Sequence, residues 1–334
     1  MKIVVRMPNW IGDALFALPA LESLKAAHPE AEIWLAGNAW IKALIAGEDA
    51  EKIIIMPDLR KWKAVRAAAR TLKARRFDIG LLLTNSFSSA LLFSAAGIPQ
   101  RWGYRGDGRG WLLTKSRPKK AEDPPSHMVY YYLRLLEELG MKTLPPEIRL
   151  SVSAEDRERA RKRLAGFGAD LKKPLVVLNP GAAYGPAKRW PASRFAELSR
   201  LLQDGKGAQL ALTGAPEDAP AAEEISAALS KKPLNLAGRT TLEELLGVIS
   251  QAAVFVTNDT GPMHIANALR VPVVALFGPT DPRATAPFHS PATVLRKEDI
   301  PCWPCLNRVC PFDHRCLLRI SAVEVFEAAA AYLP

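Results

Sequence analysis

The stretch AAVFVTNDTGPMHIANALRVPVVALF, residues 252–277, leaves this chain little choice of fold. Two apolar runs, 254–257 and 273–277, flank a helical pattern, and neither alternates with polar residues. Strands that are apolar at every position are buried on both faces, as in a parallel sheet covered by helices. The same unit recurs at 2–7, 32–37, 52–56 and 78–83, and again at 174–181 and 209–214, with helical periodicity between the runs. A helix is expected at about 14–27, and others at about 154–164, 193–202, 219–229 and 242–250. A polar, proline-marked joint at 143–153 separates the two series. The sequence therefore predicts an α/β chain of two Rossmann-like parallel-sheet domains facing a central cleft. The first spans 1–152, joined by a C-terminal helix at 320–334, and the second spans 153–319.

The 334 residues suffice for two cores, and the 49% apolar, 24% charged composition is that of a globular protein. No run reaches the roughly 18 to 20 apolar residues of a membrane span. The opening MKIVVRMPNW lacks the apolar core and cleavage site of a secretory signal, so a cytoplasmic location is expected. Net charge is +11, and residues 1–150 hold most of it, with 23 Lys and Arg against 15 Asp and Glu. An acidic partner is therefore expected to meet the first half: nucleic acid, an anionic membrane surface or an acidic glycolipid.

Ligands of open α/β sheets bind at the carboxyl ends of strands, which directs attention to three turns. In the turn after 254–257, Asp259, Thr260 and Gly261 open a helix whose unpaired N–H groups suit a phosphate, and His264 shares a helix face with Thr260. Asp259 and Thr260 are equally suited to capping that helix. In N-P-G-A-A-Y-G-P-A-K-R-W-P, 179–191, Lys188 stands between a glycine-bearing loop and a helix start, placed for a diphosphate, although surface cations are common. After the first strand, Asp13 follows Gly12 and can project as a general base or cap the helix behind it.

All four cysteines fall in CWPCLNRVCPFDHRC with the spacing C-x2-C-x4-C-x5-C. Cys302, Cys305, Cys310 and Cys316 so close together suggest a structural zinc site in a reducing compartment, with reduced thiols, a disulfide pair or an iron–sulfur cluster as alternatives. Two basic stretches stand out: 60–76 with eight cations, and 101–120 with seven, interleaved with Trp102, Tyr104 and Trp111. A solvated helix face and loop is the plain explanation of both. The aromatic interleaving also suits single-stranded nucleic acid.

VRMPNWIGDALFALPAL, NPGAAYGPAKRWP and FVTNDTGPMHIANAL with VVALFGPTDP resemble the signature segments of bacterial ADP-heptose:lipopolysaccharide heptosyltransferases, in glycosyltransferase family 9, and the type II members above all. The likeness runs along essentially the whole chain. It implies a GT-B fold, with the acceptor-binding domain first and the nucleotide-sugar domain second. It implies an inverting transfer of heptose from ADP-heptose to the heptosyl-Kdo-lipid A core, with no cofactor required for catalysis and no nucleic acid partner. Position by position, Asp13 matches the base and Lys188 the diphosphate lysine. Asp259, Thr260, Gly261 and His264 match the donor motif, with Glu217 near the ribose and Thr240 on the adenine side. Arg60, Lys63, Arg101 and Arg105 would then face the anionic acceptor, with the protein peripheral on the inner face of the inner membrane. Types I and III, or another family-9 transferase, are the alternatives. The cysteine cluster is an addition to the enterobacterial pattern.

Overall fold

The computed structural model describes residues 1–45, 51–59, 61–118 and 126–334. They divide into two units, Met1–Ile148 and Arg149–Pro334, slightly ahead of the boundary expected at 152/153.

The first unit has six strands: β1 (Lys2–Arg6), β2 (Glu32–Gly37), β3 (Ile53–Ile55), β4 (Ile79–Leu82), β5 (Gln100–Arg105) and β6 (Lys115–Pro118). They lie in the order β3-β2-β1-β4-β5-β6, all parallel. The second has β7 (Leu175–Asn179), β8 (Gln209–Leu212), β9 (Leu234–Asn235), β10 (Val254–Asn258), β11 (Val273–Leu276) and β12 (Ala292–Leu295), also all parallel. Their order, β12-β11-β10-β7-β8-β9, is the same 3-2-1-4-5-6 arrangement counted within the unit. Both sheets are thus doubly wound, with a topological switch point between β1 and β4 and another between β7 and β10.

The central strands β1, β4, β7, β10 and β11 are almost wholly buried, as their unbroken apolar runs require. The apolar pattern does not reveal β5, β6, β9 or β12. Three of these are sheet edges, where one side faces no neighbouring strand and polar residues such as Lys115 and Arg117 are tolerated. In β5 the basic, aromatic run is a strand whose Trp102 and Tyr104 are buried, so neither ring is open to stack on a base.

Two expectations need correction. The helix expected at 14–27 is two helices, Ile11–Phe16 and Leu18–Ala27, because Pro19 opens a new helix where its missing N–H costs nothing. The C-terminal helix, Ala322–Ala330, expected to join the first domain, belongs to the second unit. It packs on the helix Ala192–Lys206, and Ala322, Val325 and Ala329 join Phe195, Leu198 and Leu202 in the core of the second unit. The carbonyl of Ile320, just ahead of it, accepts from Trp190 Nε1 at 3.0 Å, which ties the chain end to the loop after β7.

Phe195 is fully buried, edge-on to Trp190 at 4.9 Å between centroids. Phe195→Ala should therefore cost the second unit about 3–5 kcal/mol, read as a lower urea midpoint in equilibrium unfolding.

Candidate active site

At the β7/β10 switch point the strands run side by side, Asn179 opposite Thr257, and both chains leave at the same edge. One exit leads through residues 180–190 to the helix Ala192–Lys206. The other leads through Asp259 and Thr260 to the helix Gly261–Ala268. Asn258, fully buried at the end of β10, binds the two exits together. Its Nδ2 donates to the carbonyls of Pro180 (2.8 Å) and Gly181 (3.2 Å), and its Oδ1 accepts from Trp190 N (3.0 Å). Both ends of the loop are thereby fixed by one amide. All its strong hydrogen-bonding groups are spent on structure, so Asn258 shapes the site rather than facing a ligand.

The loop so fixed carries Lys188 on a 3-10 turn, Pro186–Lys188. Its ammonium donates to Asp259 Oδ2 at 2.5 Å, and the side chains are only 12% and 4% exposed. Thr280 Oγ1 donates to the same oxygen at 2.6 Å, and the lysine also lies over the Tyr184 ring, 4.9 Å from its centroid. Asp259 is therefore neither a helix cap nor a lone ligand, since its carboxylate fixes the position and charge of Lys188. Thr260 occupies the cap position of the following helix, but its side chain makes no capping bond. Of the first turn of that helix, Pro262 has no N–H and Met263 N donates to Thr260 O (3.0 Å), so the Gly261 amide and the positive dipole end are what it presents. His264 is buried within the same helix. Lys188, Asp259, Thr260, Gly261 and His264 are thus gathered at one sheet edge. A lysine with further N–H groups beside an open helix start can take a diphosphate.

The remaining donor-side expectations fare differently. Glu217 is exposed on the turn Pro216–Asp218, while its neighbour Asp218 is buried and receives Ala215 N at 3.0 Å and Arg189 Nη2 at 3.4 Å. The Asp218 carboxylate packs so close to Gly181 that a Cβ there would lie 2.0 Å from it. Gly181 thus makes room for Asp218 rather than for a ligand, and Gly185 similarly accommodates the Arg308 carbonyl. Nothing in the sequence pattern ranked Asp218 above Glu217; only packing does. Thr240 immediately precedes Thr241, which caps the helix Leu242–Ile249 in a capping box with Glu244.

In the first unit, Asp13 lies in the first turn of the helix Ile11–Phe16, whose cap position is Trp10, so the capping alternative does not apply. Tyr132 Oη donates to Asp13 Oδ1 at 3.5 Å from the helix Met128–Glu138. Tyr131 stands edge-on to Tyr132 (5.1 Å) and receives Asn85 Nδ2 at 2.6 Å. Burial, then the Asp13 charge, holds the Tyr132 phenol well above its ordinary value. Two buried arginines, which no periodicity in the sequence marks, shape this edge. Arg6 donates to Met7 O (2.6 Å) and Asn9 Oδ1 (2.7 Å), fixing the turn before Asp13, and burial lowers its pKa to about 10. Arg109 donates to Thr84 O (2.5 Å), Asn85 Oδ1 (3.2 Å) and Tyr104 O (2.7 Å), joining the ends of β4 and β5.

Of the expected acceptor cations, Arg60 lies outside the described residues. Lys63 is exposed on the helix Trp62–Ala74, with Arg66, Arg70 and Lys73 on its solvated face and Val65, Ala68, Ala69 and Leu72 buried. Arg105 is exposed at the end of β5. Arg101 is not a free cation: it donates to Leu112 O (2.6 Å) and Ile98 O (2.5 Å), because β5 places it beside carbonyls that lack a partner. Lys115 and Arg117 are likewise spent, on the carbonyls of Leu139 (2.5 Å) and Glu138 (2.6 Å) at a helix C-terminus, where cations are favoured.

The four cysteines are free thiols, and all line one small pocket with Ala187, Pro279 and His314. Burial, then the neighbouring thiols, pushes Cys316 up to about 11. Among the described residues no three His, Cys, Asp or Glu side chains already stand as a metal centre.

Two doubly wound sheets in tandem, the second with a lysine and an open helix start at its switch point, define the GT-B class of α/β proteins. Residues 65–315 match the profile of glycosyltransferase family 9 (heptosyltransferase). The chain belongs to that family and is a glycosyltransferase. It is 36% identical over 311 residues to lipopolysaccharide heptosyltransferase 2 of Escherichia coli (strain K12), covering 89% of this chain and 88% of that protein. It is 29% identical over 335 residues to lipooligosaccharide heptosyltransferase 2 of Campylobacter jejuni, covering 98% and 97%. The solved structure of E. coli ADP-heptose lps heptosyltransferase II matches with a TM-score of 0.83 at 33% identity, over 99% of this chain and 98% of that one. A family 9 glycosyl transferase from Veillonella parvula shares the fold, with a TM-score of 0.85 at 24% identity over 99% and 96%.

Two predictions follow from the geometry. Lys188→Ala leaves the Asp259 carboxylate buried beside Thr280 alone and should destabilise the second unit by about 3–5 kcal/mol. In a double-mutant cycle measured by urea unfolding, adding Asp259→Asn should recover part of that loss. The phenol of Tyr132 stays protonated in the folded chain above the pH at which an unfolded tyrosine ionises. Its contribution to stability is therefore full below about pH 10 and lost as pH rises further, so alkaline unfolding should be less steep in Tyr132→Phe.

Proposed function

We propose that this glycosyltransferase moves a heptose from ADP-heptose to a hydroxyl of a heptosyl-Kdo-lipid A inner core, in the manner of the type II heptosyltransferases. The observation that carries this reading is the Lys188–Asp259–Thr280 constellation beside the open helix start at Gly261. It is supported by 36% identity to a lipopolysaccharide heptosyltransferase 2 along most of both chains.

The chemistry is a single displacement. The acceptor oxygen attacks the anomeric carbon, its proton passes to the Asp13 carboxylate, and the bond to the diphosphate oxygen breaks with its electron pair leaving on ADP. Attack opposite the leaving group inverts the anomeric centre, and no covalent enzyme intermediate forms. Lys188 and the Thr260 and Gly261 amides would take up the charge that develops on the diphosphate, at donors already in place before the reaction. Because Asp259 and Thr280 hold Lys188, little reorganisation is needed at that moment. Cofactor chemistry has no step in this scheme. Among the described residues no helix is long and apolar enough to cross a membrane. The exposed Lys63, Arg66, Arg70 and Lys73, with Trp62 at the same helix start, suit peripheral contact with an anionic inner-leaflet surface.

Asp13→Asn should lower transfer by at least about 10²–10⁴-fold, the range for a lost general base, while ADP binding by calorimetry stays near wild type. Near-normal turnover would remove Asp13 from the mechanism. Purified enzyme should transfer to acceptors carrying one heptose and leave those carrying none or two unmodified. Any other order of preference assigns a different acceptor.

A further inference from the structure

The residues after β12 grip both loops that carry the donor-site constellation. Tyr184 Oη donates to Leu306 O (2.6 Å), Arg308 Nε donates to Tyr184 O (2.7 Å), and Ala187 N donates to Arg308 O (3.1 Å). His314 Nε2 lies 2.7 Å from the Ala187 carbonyl. These contacts bracket Lys188 from the residue before it and from the ring beneath it. On the other loop, Leu306 N donates to Pro279 O (3.0 Å) and Trp303 Nε1 donates to Thr280 O (3.1 Å), behind the hydroxyl that holds Asp259. The segment 302–316 is therefore a brace across the two exits of the sheet.

Yet the brace has almost no core of its own. Leu306, Val309 and Phe312 are 58%, 66% and 67% exposed, and Cys302 is exposed as well. A segment of this length with its apolar side chains in water cannot offset the entropy of ordering it through hydrophobic burial. What it has instead is four thiols at its start, middle and end, all lining one pocket whose remaining walls are Ala187 and Pro279, from the two braced loops, with Phe312 to Arg315 of the segment itself.

We propose that Cys302, Cys305, Cys310 and Cys316 take one thiophilic divalent cation of the zinc class, and that this ion locks the brace and so orders the loops carrying Lys188 and Thr280. Four sulfur ligands in a tetrahedron are the preferred set for such an ion, at sulfur distances of about 2.3 Å. On binding, four thiols release four protons to solvent and four metal–sulfur bonds form, leaving a net charge of −2 that Arg315, on the pocket wall, faces. Since no three of these side chains already stand at ligand separation, binding draws the segment together, and its free energy becomes ordering free energy for the brace.

The test uses the full chain and needs no sugar donor. Zinc would be measured by mass spectrometry in protein purified without chelator, and the metal-free chain would be titrated with Zn²⁺ and with Co²⁺. Hydrogen exchange at the Ala187 and Leu306 amides would be followed with and without the ion. The expected result is about one ion per chain, a cobalt–thiolate absorption band lost in Cys305→Ser and in Cys316→Ser, and exchange at both amides roughly tenfold slower with metal. Four thiols that titrate freely in the folded chain at saturating Zn²⁺, with no cobalt–thiolate band, would overturn the site. An ion that binds but leaves exchange at both amides unchanged would overturn its role as the lock. Because the cobalt titration is made on the unsubstituted chain, the result stands even where a serine variant fails to fold.

Discussion

A lysine and an aspartate that share a place almost without water govern the second unit of this chain. Neither charge is tolerable there alone, and each is made tolerable by the other and by the Thr280 hydroxyl. Such a pair contributes little net stability compared with apolar packing. Its value is positional: it locks an ammonium at the edge of the sheet, with N–H groups to spare, as the proposed diphosphate site requires. The buried amide of Asn258 completes the arrangement by fixing both ends of the loop on which Lys188 sits.

The first unit handles its positive charge in another way. Arg6, Arg101, Arg109, Lys115 and Arg117 are spent on carbonyl oxygens, many at strand and helix ends where the backbone lacks a partner. Much of the basic surplus in residues 1–150 is thus internal bracing. Among the described residues, the exposed cations include those on the outer face of the helix Trp62–Ala74 and Arg105. A formal charge of +11 counts both kinds alike, although only exposed cations attract a partner at a distance.

In both units one doubly wound order places the functional turns. Within each unit the winding reverses between two neighbouring strands, β1 and β4 in the first and β7 and β10 in the second, and the loops after each such pair diverge and leave room for a ligand. Asp13 follows β1 and Asp259 follows β10. In one unit the carboxylate after the first strand meets a phenol, and in the other the carboxylate after the fourth strand meets an ammonium, so the two sides of a switch point carry different chemistries.

Sequence by itself determined the fold class, the central strands and the turns that carry Asp13, Lys188 and Asp259, because burial on both faces of a parallel strand writes an unbroken apolar run. It also determined that four thiols lie within one short segment. Only tertiary structure decided that Asp259 holds Lys188, that Asp218 and not Glu217 is the buried carboxylate, and that Arg101 is a clamp. It alone placed the C-terminal helix on the second unit. Those outcomes depend on which groups meet across the sheet edge, between residues 29 and 71 positions apart in the pairs Arg189–Asp218 and Lys188–Asp259. Periodicity reports which side of a strand or helix is apolar. It carries no information on which distant polar group will satisfy a buried one.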